Sequence, residues 1–484
     1  MLTRRRTFVL ALGLACFVAC WIAGDGSRAA RAGGVALWMA VWWIGDALPI
    51  HVTALVPLVA FPLLRTLPGT FGENLRAIAT AYVDPYIFLF LGGMAISAAM
   101  RQWGLSRRIA LWILVHLAPS SARLLLGVLL ATAVVSMWIS NTATAAMMLP
   151  IALSLVHHVE EKVGARLEWF GGALVLAVAY GASIGGIATV VGTPTNAQLS
   201  GFASRQGVEI DFARFALVGG GFTLLFLPLA WGILWRTARR DAPPGRIGVD
   251  VVREEWRALG PLSRGEARIL GVFAVAVVGW VAAGPIARAL AASVDFVTLR
   301  NAHVEAAIGV LAGVVLLVWR VDGRALCGRA ALRETPWSTL LLLGGSFALA
   351  VGVGGSGLFE SIGGALAWLR ELPLWPQCVV AATAAVVASA TASNTATIGV
   401  LLPILWNAVP IEHAPAVTFA ATIACSCDFM MPAGTPPNAI VFGSGRVTLS
   451  RMASTGFVLD LLGAALAGTW CALVVPWVVR HAAT

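Results

Sequence analysis

The chain has 484 residues, of which 59% are hydrophobic and only 12% are charged, and its formal net charge is +10. Soluble domains carry about twice this charged fraction, so the composition excludes an ordinary soluble protein. The positive charge does not indicate nucleic-acid binding, because the arginines lie in the short tails and loops between apolar segments. There their distribution indicates which side of the membrane each loop faces. The chain is therefore expected to lie in a lipid bilayer and to have no nucleic-acid partner.

Apolar segments close to the ~20 residues needed to cross a bilayer recur along the chain. The clearest are residues 8–23, 34–50, 215–234, 269–283, 306–319 and 457–479. The sliding-window pattern predicts about eleven transmembrane helices plus two shorter re-entrant hairpins. The predicted fold class is an all-α polytopic membrane protein.

The first apolar segment follows three arginines, residues 4–6, and small residues come after it. This pattern fits a cleaved secretory signal peptide or an uncleaved first span, and we favour the uncleaved span with a cytoplasmic N-terminus. Residues 236–268 are also rich in arginine and are expected on the same side, so an even number of spans, about six, separates the two segments. Short loops and an arginine-rich start suggest a bacterial inner membrane.

A polar motif occurs twice, as Ser-Asn-Thr-Ala-Thr at residues 140–144 and again at residues 393–397. Each copy belongs to a longer duplicated series. The series comprises Gly-Gly at 92–93 and 344–345, Leu-Pro-Ile at 149–151 and 402–404, and Gly-Thr-Pro-x-Asn at 192–196 and 434–438. Duplicated polar motifs inside apolar sequence are typical of transporters in which two membrane-embedded repeats form one site.

The duplicated motifs divide the chain into three parts. These are a first repeat with its N-terminal spans (1–235), a cytoplasmic linker (236–268) and a second repeat (269–484). An odd number of spans per repeat would make the copies inverted, so that their helix breaks meet near the bilayer midplane. Each Gly-Gly pair follows an apolar stretch opened by Pro85 or Pro336, which predicts a hairpin that enters the membrane and turns back.

The Ser-Asn-Thr motifs suit sodium, because Na⁺ is a hard cation that binds several oxygens, and amides, hydroxyls and freed carbonyls supply them. Each copy has another serine four residues before its own, Ser136 or Ser389, and on one helix this spacing places both hydroxyls on the same face. A single such motif is more often a helix-packing element, but its duplication favours binding. The Gly-Thr-Pro-x-Asn segments should interrupt helices, which is tolerated at membrane depth only beside a cavity or ligand.

Charge placement indicates what the site binds. Residues 124–151, 171–204 and 372–411 contain no Lys, Arg, Asp or Glu. An isolated buried charge costs many kcal/mol, so a dianion there needs compensation, which bound sodium ions and helix N-termini provide. The sequence therefore predicts an anion site that depends on sodium.

These motifs resemble those of the divalent anion:sodium symporters, which carry dicarboxylates, tricarboxylates or sulfate as homodimers by an elevator mechanism. The resemblance covers most of the chain. It includes Trp-Ile-Gly-Asp-Ala-Leu-Pro at 43–49, Phe-Leu-Gly-Gly at 90–93, both Ser-Asn-Thr motifs and Pro-Pro-Asn-Ala-Ile-Val-Phe at 436–442. It implies an elevator-type fold with two inverted repeats.

The resemblance also implies site residues. One sodium site would comprise Ser136, Ser140, Asn141 and the Gly192 carbonyl, and the other Ser389, Ala392, Asn394 and the Gly434 carbonyl. The substrate would contact Asn141, Thr142, Asn394 and Thr395, with Thr193, Pro194, Thr435 and Pro436 nearby. Both copies are complete, which favours sodium symport over anion exchange, with a C4-dicarboxylate such as succinate as the leading substrate and citrate or sulfate as alternatives.

Other classes of protein fit the sequence less well. An intramembrane enzyme lacks support, because the sequence has no His-Glu-x-x-His and no Gly-x-Ser-x-Gly elbow. The one match to the second pattern, residues 181–185, lies inside a long apolar segment without the strand-to-helix turn that an elbow requires. A passive anion channel remains an alternative that concentrative uptake would exclude. The one lysine, Lys162, follows no glycine-rich loop, so ATP-driven transport by this chain is not expected.

Asp428 departs from the resemblance, which leads us to expect a small or apolar residue seven positions before Thr435. An acid at membrane depth is a functional hypothesis by default. Three interpretations stay open: a proton-coupling group, a reinforcement of a cation site, or a carboxyl hydrogen-bonded at a helix end.

Overall fold

The computed structural model describes residues 4–117, 120–245, 250–293, 299–333, 335–390 and 392–480. These residues fold almost entirely into α-helices, with one antiparallel pair of short strands, β1 (Arg320–Val321) and β2 (Arg324–Ala325). Hydrocarbon offers no partner to backbone N–H and C=O groups, so an apolar chain adopts the helix, which pairs them internally. The predicted all-α class is confirmed.

The helices fall on either side of a short charged segment. The first half contains α1 (Arg4–Ala23), α2 (Arg28–Ile44), α3 (Ile50–Thr53), α4 (Val56–Leu63), α5 (Phe71–Ala79), α6 (Pro85–Gln102), α7 (Leu105–Leu117), α8 (Ser121–Ser136), α9 (Asn141–Val163), α10 (Glu168–Gly186), α11 (Pro194–Arg205) and α12 (Phe212–Ala238). The short helix α13 (Asp250–Ala258) follows. The second half contains α14 (Arg264–Val281), α15 (Ala283–Ser293), α16 (Asn301–Val318), α17 (Arg329–Arg333), α18 (Trp337–Gly354), α19 (Leu358–Ile362), α20 (Ala367–Glu371), α21 (Leu374–Ser389), α22 (Asn394–Ala408), α23 (Ala414–Cys425), α24 (Pro436–Phe442) and α25 (Leu449–Arg480).

Within the described residues, eight helical segments are long and apolar enough to cross a membrane, or nine if α14 and α15, which meet at 68°, form one span. Further apolar helices are shorter, at Ile50–Leu63, Ser121–Ser136, Leu374–Ser389 and Ala414–Cys425. The prediction of about eleven spans and two hairpins allows for such shorter helices beside the full-length ones. Three of them end at a duplicated motif or its helix break.

The order of elements is the same around each set of motifs. In each half, a helix ends shortly before Ser-Asn-Thr and the next begins at its asparagine, as α8 and α9 do at Asn141 and as α21 and α22 do at Asn394. A following helix, α10 or α23, then ends, and another begins at the proline of Gly-Thr-Pro, Pro194 or Pro436. Each half therefore has two interruptions of helical structure in the same order.

The glycine pairs at 92–93 and 344–345 lie inside α6 and α18, the helices that begin at Pro85 and directly after Pro336 in the predicted hairpins. The pairs serve helix packing, since a Cβ on Gly92 would overlap the backbone of Gly309 in α16 and a Cβ on Gly345 would overlap the backbone of Ala54. The helices end further on, near Gly104 (φ +78°) and Gly357 (φ +79°), whose left-handed conformation glycine adopts without steric cost.

The charged segment between the halves packs on the first half. The predicted linker, 236–268, includes the end of α12, α13 and the start of α14, and its residues 246–249 lie outside the described residues. Arg108 of α7 donates from Nε to Glu266 Oε1 at 2.7 Å and from Nη1 to the carbonyl oxygen of Gly260 at 2.9 Å. The arginine side chain is 11% exposed and the glutamate 5%. This nearly buried pair therefore fixes the linker to α7.

Replacing Arg108 tests this junction. Arg108→Ala leaves the Glu266 carboxylate buried without its partner and is expected to lower stability by about 3 kcal/mol. The matched control is Arg107→Ala, since the arginine of the Arg107–Glu255 pair is 49% exposed and an exposed pair contributes less than about 1 kcal/mol. Thermal unfolding of the detergent-solubilised variants measures both effects, and equal losses would contradict this account.

Candidate ion and substrate site

The first Ser-Asn-Thr motif is bound to α10 and to the break that follows it. Ser136, the last residue of α8, places Oγ 2.7 Å from the carbonyl oxygen of Ala182 and 2.9 Å from Asn141 Oδ1. Thr189, in the break, donates from Oγ1 to the carbonyl oxygen of Met137 at 2.6 Å. Hydroxyl, amide and carbonyl oxygens thus converge where α9 begins.

The break after α10 is held by the asparagine of Gly-Thr-Pro-x-Asn. Asn196 donates from Nδ2 to the carbonyl oxygens of Gly186, at 2.9 Å, and Thr189, at 2.7 Å. A Cβ on Gly186 would overlap Asn141 Oδ1, and a Cβ on Gly192 would overlap the Gly186 carbonyl oxygen. The structure thereby brings Asn141 and Gly192 each into close contact with Gly186.

The four-residue spacing between the serines does not have the structural consequence that the sequence predicts. Because α8 ends at Ser136 and α9 begins after Ser140, the two hydroxyls do not share one helical face. The same holds for Ser389, which ends α21, and Ser393, which precedes α22. The prediction of a shared face is wrong, and the reason is that the three residues between the first pair of serines, 137–139, are not part of a helix.

The second motif also contacts the helix that precedes its break, α23. Cys425, at the end of α23, lies with Sγ 3.5 Å from the carbonyl oxygen of Asn394 and interacts with the Ser389 hydroxyl. Asn438 donates from Nδ2 to the carbonyl oxygens of Asp428 and Met431, each at 3.0 Å. The second break is therefore closed by an asparagine, as the first is.

The two breaks match residue by residue. Asn196 binds the carbonyls ten and seven positions before it, and Asn438 does the same. With this register, Gly192 corresponds to Gly434, and Gly186 corresponds to Asp428. The Gly-Thr-Pro-x-Asn motifs give the same register when they are extended six residues without a gap, and the hydrogen bonds show that no gap intervenes.

The remaining predicted site residues differ in exposure. Ser140, Thr142 and Pro436 are exposed, Pro194 and Ala392 are half-buried, and Thr193, Thr395 and Thr435 are buried. The Thr435 hydroxyl accepts the N–H of Asn438 at 3.4 Å, so it also caps α24. The first motif is thus more open than the second.

Two buried polar residues at the site were missed in the sequence. Gln198 of α11 donates from Nε2 to Ser346 Oγ at 2.7 Å and to the carbonyl oxygen of Thr395 at 3.0 Å, which joins the first break to the second motif. Asp460 of α25 accepts the N–H of Phe429 through Oδ1 at 2.8 Å. The available signal was a polar side chain in an otherwise apolar segment.

Charge at the site is almost absent. No lysine or arginine occurs in residues 124–151, 171–204 or 372–445, which include both motifs and both breaks. The acids that lie at the second break are Asp428 and Asp460. The donor set is therefore suited to a hard cation, and the only positive charge that the described residues offer an anion here is the partial charge of helix N-termini.

An apolar, all-helical chain that duplicates oxygen donors at interrupted helices is typical of secondary transporters. The chain belongs to the family described as the sodium:sulfate symporter transmembrane region, whose model matches residues 4–479. The predicted family membership is confirmed, and the protein is an integral membrane transporter, not an enzyme.

Relatives and a solved structure agree with this assignment. The chain is 33% identical over 437 residues to the sodium-dependent dicarboxylate transporter SdcS of Staphylococcus saprophyticus, covering 88% of this chain and 82% of the relative. It is 32% identical over 443 residues to the same-named protein of Staphylococcus aureus strain USA300, covering 89% and 83%. The crystal structure of the Alcanivorax borkumensis YdaH transporter matches with a TM-score of 0.56 at 16% identity, covering 88% of this chain and 98% of the other, and it supports the fold alone.

The contact of Gly186 with Asn141 gives a testable expectation. Gly186→Ala inserts a methyl group against the amide and is expected to lower stability by about 1–3 kcal/mol. Gly271→Ala in α14 is the control, because a Cβ there meets nothing within 4 Å and alanine favours the helix. Thermal unfolding midpoints should fall for the first variant and hold or rise for the second. A fall of similar size in both would contradict the proposed close contact.

Proposed function

We propose that this protein takes up a C4-dicarboxylate, such as succinate, together with Na⁺. The observation that carries the proposal is the pair of matched oxygen-donor sets in membrane segments that lack any cationic side chain. A dicarboxylate cannot enter such a site without compensating charge, and sodium ions provide it. The name of the SdcS relatives, sodium-dependent dicarboxylate transporter, supports both the ion and the substrate class.

In this proposal each motif and the break beside it hold one sodium ion. The first ion is bound by Ser136, Ser140, Asn141 and the Gly192 carbonyl, and the second by Ser389, Ala392, Asn394 and the Gly434 carbonyl. The contact of Asn141 with Gly186, and of Gly186 with Gly192, supports the first set. Sodium binds before the anion, because the site has no other full positive charge.

The substrate lies between the two motifs. Its carboxylates are bound by the amides and hydroxyls of Asn141, Thr142, Asn394 and Thr395, with Thr193, Pro194, Thr435 and Pro436 beside them. A four-carbon dicarboxylate has one carboxylate for each motif, which suits the duplicated arrangement. Sulfate is the second candidate, because the family description specifies it.

Transport proceeds by movement of the motif-bearing helices as one body, in an elevator mechanism with a homodimer as the functional unit. Contacts between the halves support the single body: Arg446 binds the Glu160 carboxylate through two bonds, at 2.8 Å and 2.9 Å, and Gln198 binds Thr395.

The protein resides in a bacterial inner membrane with its N-terminus in the cytoplasm, because its arginine-rich segments belong on that side.

Uptake of labelled succinate into proteoliposomes tests the function. An inward sodium gradient is expected to drive accumulation above equilibrium, and replacing sodium with choline should abolish it. Uptake that ignores sodium but needs internal dicarboxylate would identify an exchanger, and equilibration without accumulation would identify a channel. Competition by unlabelled citrate and sulfate ranks the alternative substrates.

Substitution of the motif asparagines tests the sodium sites. Asn141→Ala and Asn394→Ala each remove one oxygen ligand and are expected to raise the sodium concentration for half-maximal uptake about tenfold, which corresponds to ~1.4 kcal/mol. Asn407→Ala, further along α22, is the control, because its side chain binds the Pro403 carbonyl and lies away from the motif. Unchanged sodium activation in both motif variants would contradict the assignment.

A further inference from the structure

The second helix break contains a buried carboxylate that the first break lacks. Asp428 is 0% exposed, and neither of its carboxylate oxygens has a hydrogen-bond partner among the described residues. The interpretation of Asp428 as a carboxyl hydrogen-bonded at a helix end is therefore wrong. A buried carboxylate without a partner is strongly unfavourable, so this position calls for a cation or a proton.

The position of Asp428 follows from the match between the two breaks. Asp428 corresponds to Gly186, whose Cα in the first half faces the Asn141 amide oxygen and the Gly192 backbone. In the second half a carboxylate occupies this place, and a Cβ on Gly434 would overlap Asp428 Oδ2. The side chain therefore lies against the glycine whose carbonyl belongs to the proposed second sodium site.

Other oxygens at this break also lack partners. Asn394 Oδ1, Ser426 Oγ and Asn438 Oδ1 are buried without a hydrogen bond in the described structure. In the first half of the described structure Asn196 Oδ1 likewise lacks a partner, but Asn141 Oδ1, the equivalent of Asn394 Oδ1, lies 2.9 Å from Ser136 Oγ, and no carboxylate is present at the break. Several acceptor oxygens with one full negative charge form the kind of donor set that a hard cation binds.

Among the residues that the structure describes, no cationic side chain forms an ion pair with Asp428. Residues 372–445 contain no lysine or arginine, and α25, which packs on α23, has only Asp460 as a charged residue between Arg451 and Arg480. Asp460 is already used, because its carboxylate accepts the N–H of Phe429 and fixes the backbone next to Asp428. The acid nearest to Asp428 therefore positions the break and supplies no compensating charge.

We propose that Asp428 is a ligand of the second cation site, which makes that site anionic while the first stays neutral. This inference rests on the proposed sodium-coupled function and adds a residue and an order of binding to it. Coulombic attraction strengthens sodium binding at the second site, so the second site fills at lower sodium concentration than the first. The ion at the second site then neutralises Asp428 before the anion arrives.

Sodium titration of thermal stability tests the proposal without transport. The purified protein is unfolded in detergent at increasing NaCl, with choline chloride keeping the ionic strength constant and no substrate present. Wild type is expected to gain stability with sodium. Asp428→Asn keeps the size of the side chain and removes its charge, so its unfolding midpoint should rise in sodium-free buffer, while half-maximal stabilisation should need at least tenfold more sodium.

Two further variants make the outcome decisive. Asp428→Ala removes the carboxylate and should reproduce the weaker sodium response of Asp428→Asn. That result would exclude an effect specific to the amide that Asp428→Asn introduces. Asp460→Asn weakens a backbone acceptor and should lower the midpoint at every sodium concentration, with the sodium response retained.

The possible failures have different meanings. An unchanged sodium response in both Asp428 variants, or a lower midpoint at all sodium concentrations, would overturn the role of Asp428 and leave sodium-coupled transport intact. A wild-type protein whose stability ignores sodium, with or without succinate, would overturn the proposed function together with this inference.

Discussion

The structure depends on one constraint, which is that hydrocarbon offers no partner to a backbone group released from a helix. Each half has an irregular segment between two helices at the depth of the membrane, and each would be costly if its carbonyls were unpaired. Asn196 and Asn438 meet this constraint by donating to two carbonyls each, at the same two offsets. The proposed ion sites use other carbonyls of the two breaks, those of Gly192 and Gly434.

The same constraint explains the close packing around the breaks. Gly186 must approach the Asn141 amide, and Gly192 must approach Gly186, so neither position has room for a side chain. In the second half the position that corresponds to Gly186 does have a side chain, Asp428, whose carboxylate lies next to Gly434. The two halves therefore share a backbone design but differ in charge, and this difference is the basis of the proposal that the two sites bind a cation with unequal affinity.

The two halves also act on each other. Gln198 reaches from α11 to the second motif, and the Glu160–Arg446 pair joins the end of α9 to the segment after α24. Such contacts couple the motifs mechanically, because a displacement of one break changes the hydrogen bonds that hold the other. They also leave the charged linker, fixed to α7 by Arg108, outside the site.

The sequence by itself determined the membrane environment, the all-α class, the family and the duplicated motifs, because these depend on composition and on short local patterns. It did not determine the role of the glycine pairs, since glycine suits a tight turn and a close helix contact equally well, and only the tertiary neighbours decide between them, such as Gly309 beside Gly92 and Ala54 beside Gly345. Nor did it reveal Gln198 and Asp460, whose partners are distant in sequence. The duplicated motifs align Asp428 with Gly186, but only the tertiary structure shows that the Asp428 carboxylate lies against Gly434 without a hydrogen-bond partner among the described residues, because its surroundings come from segments distant in sequence.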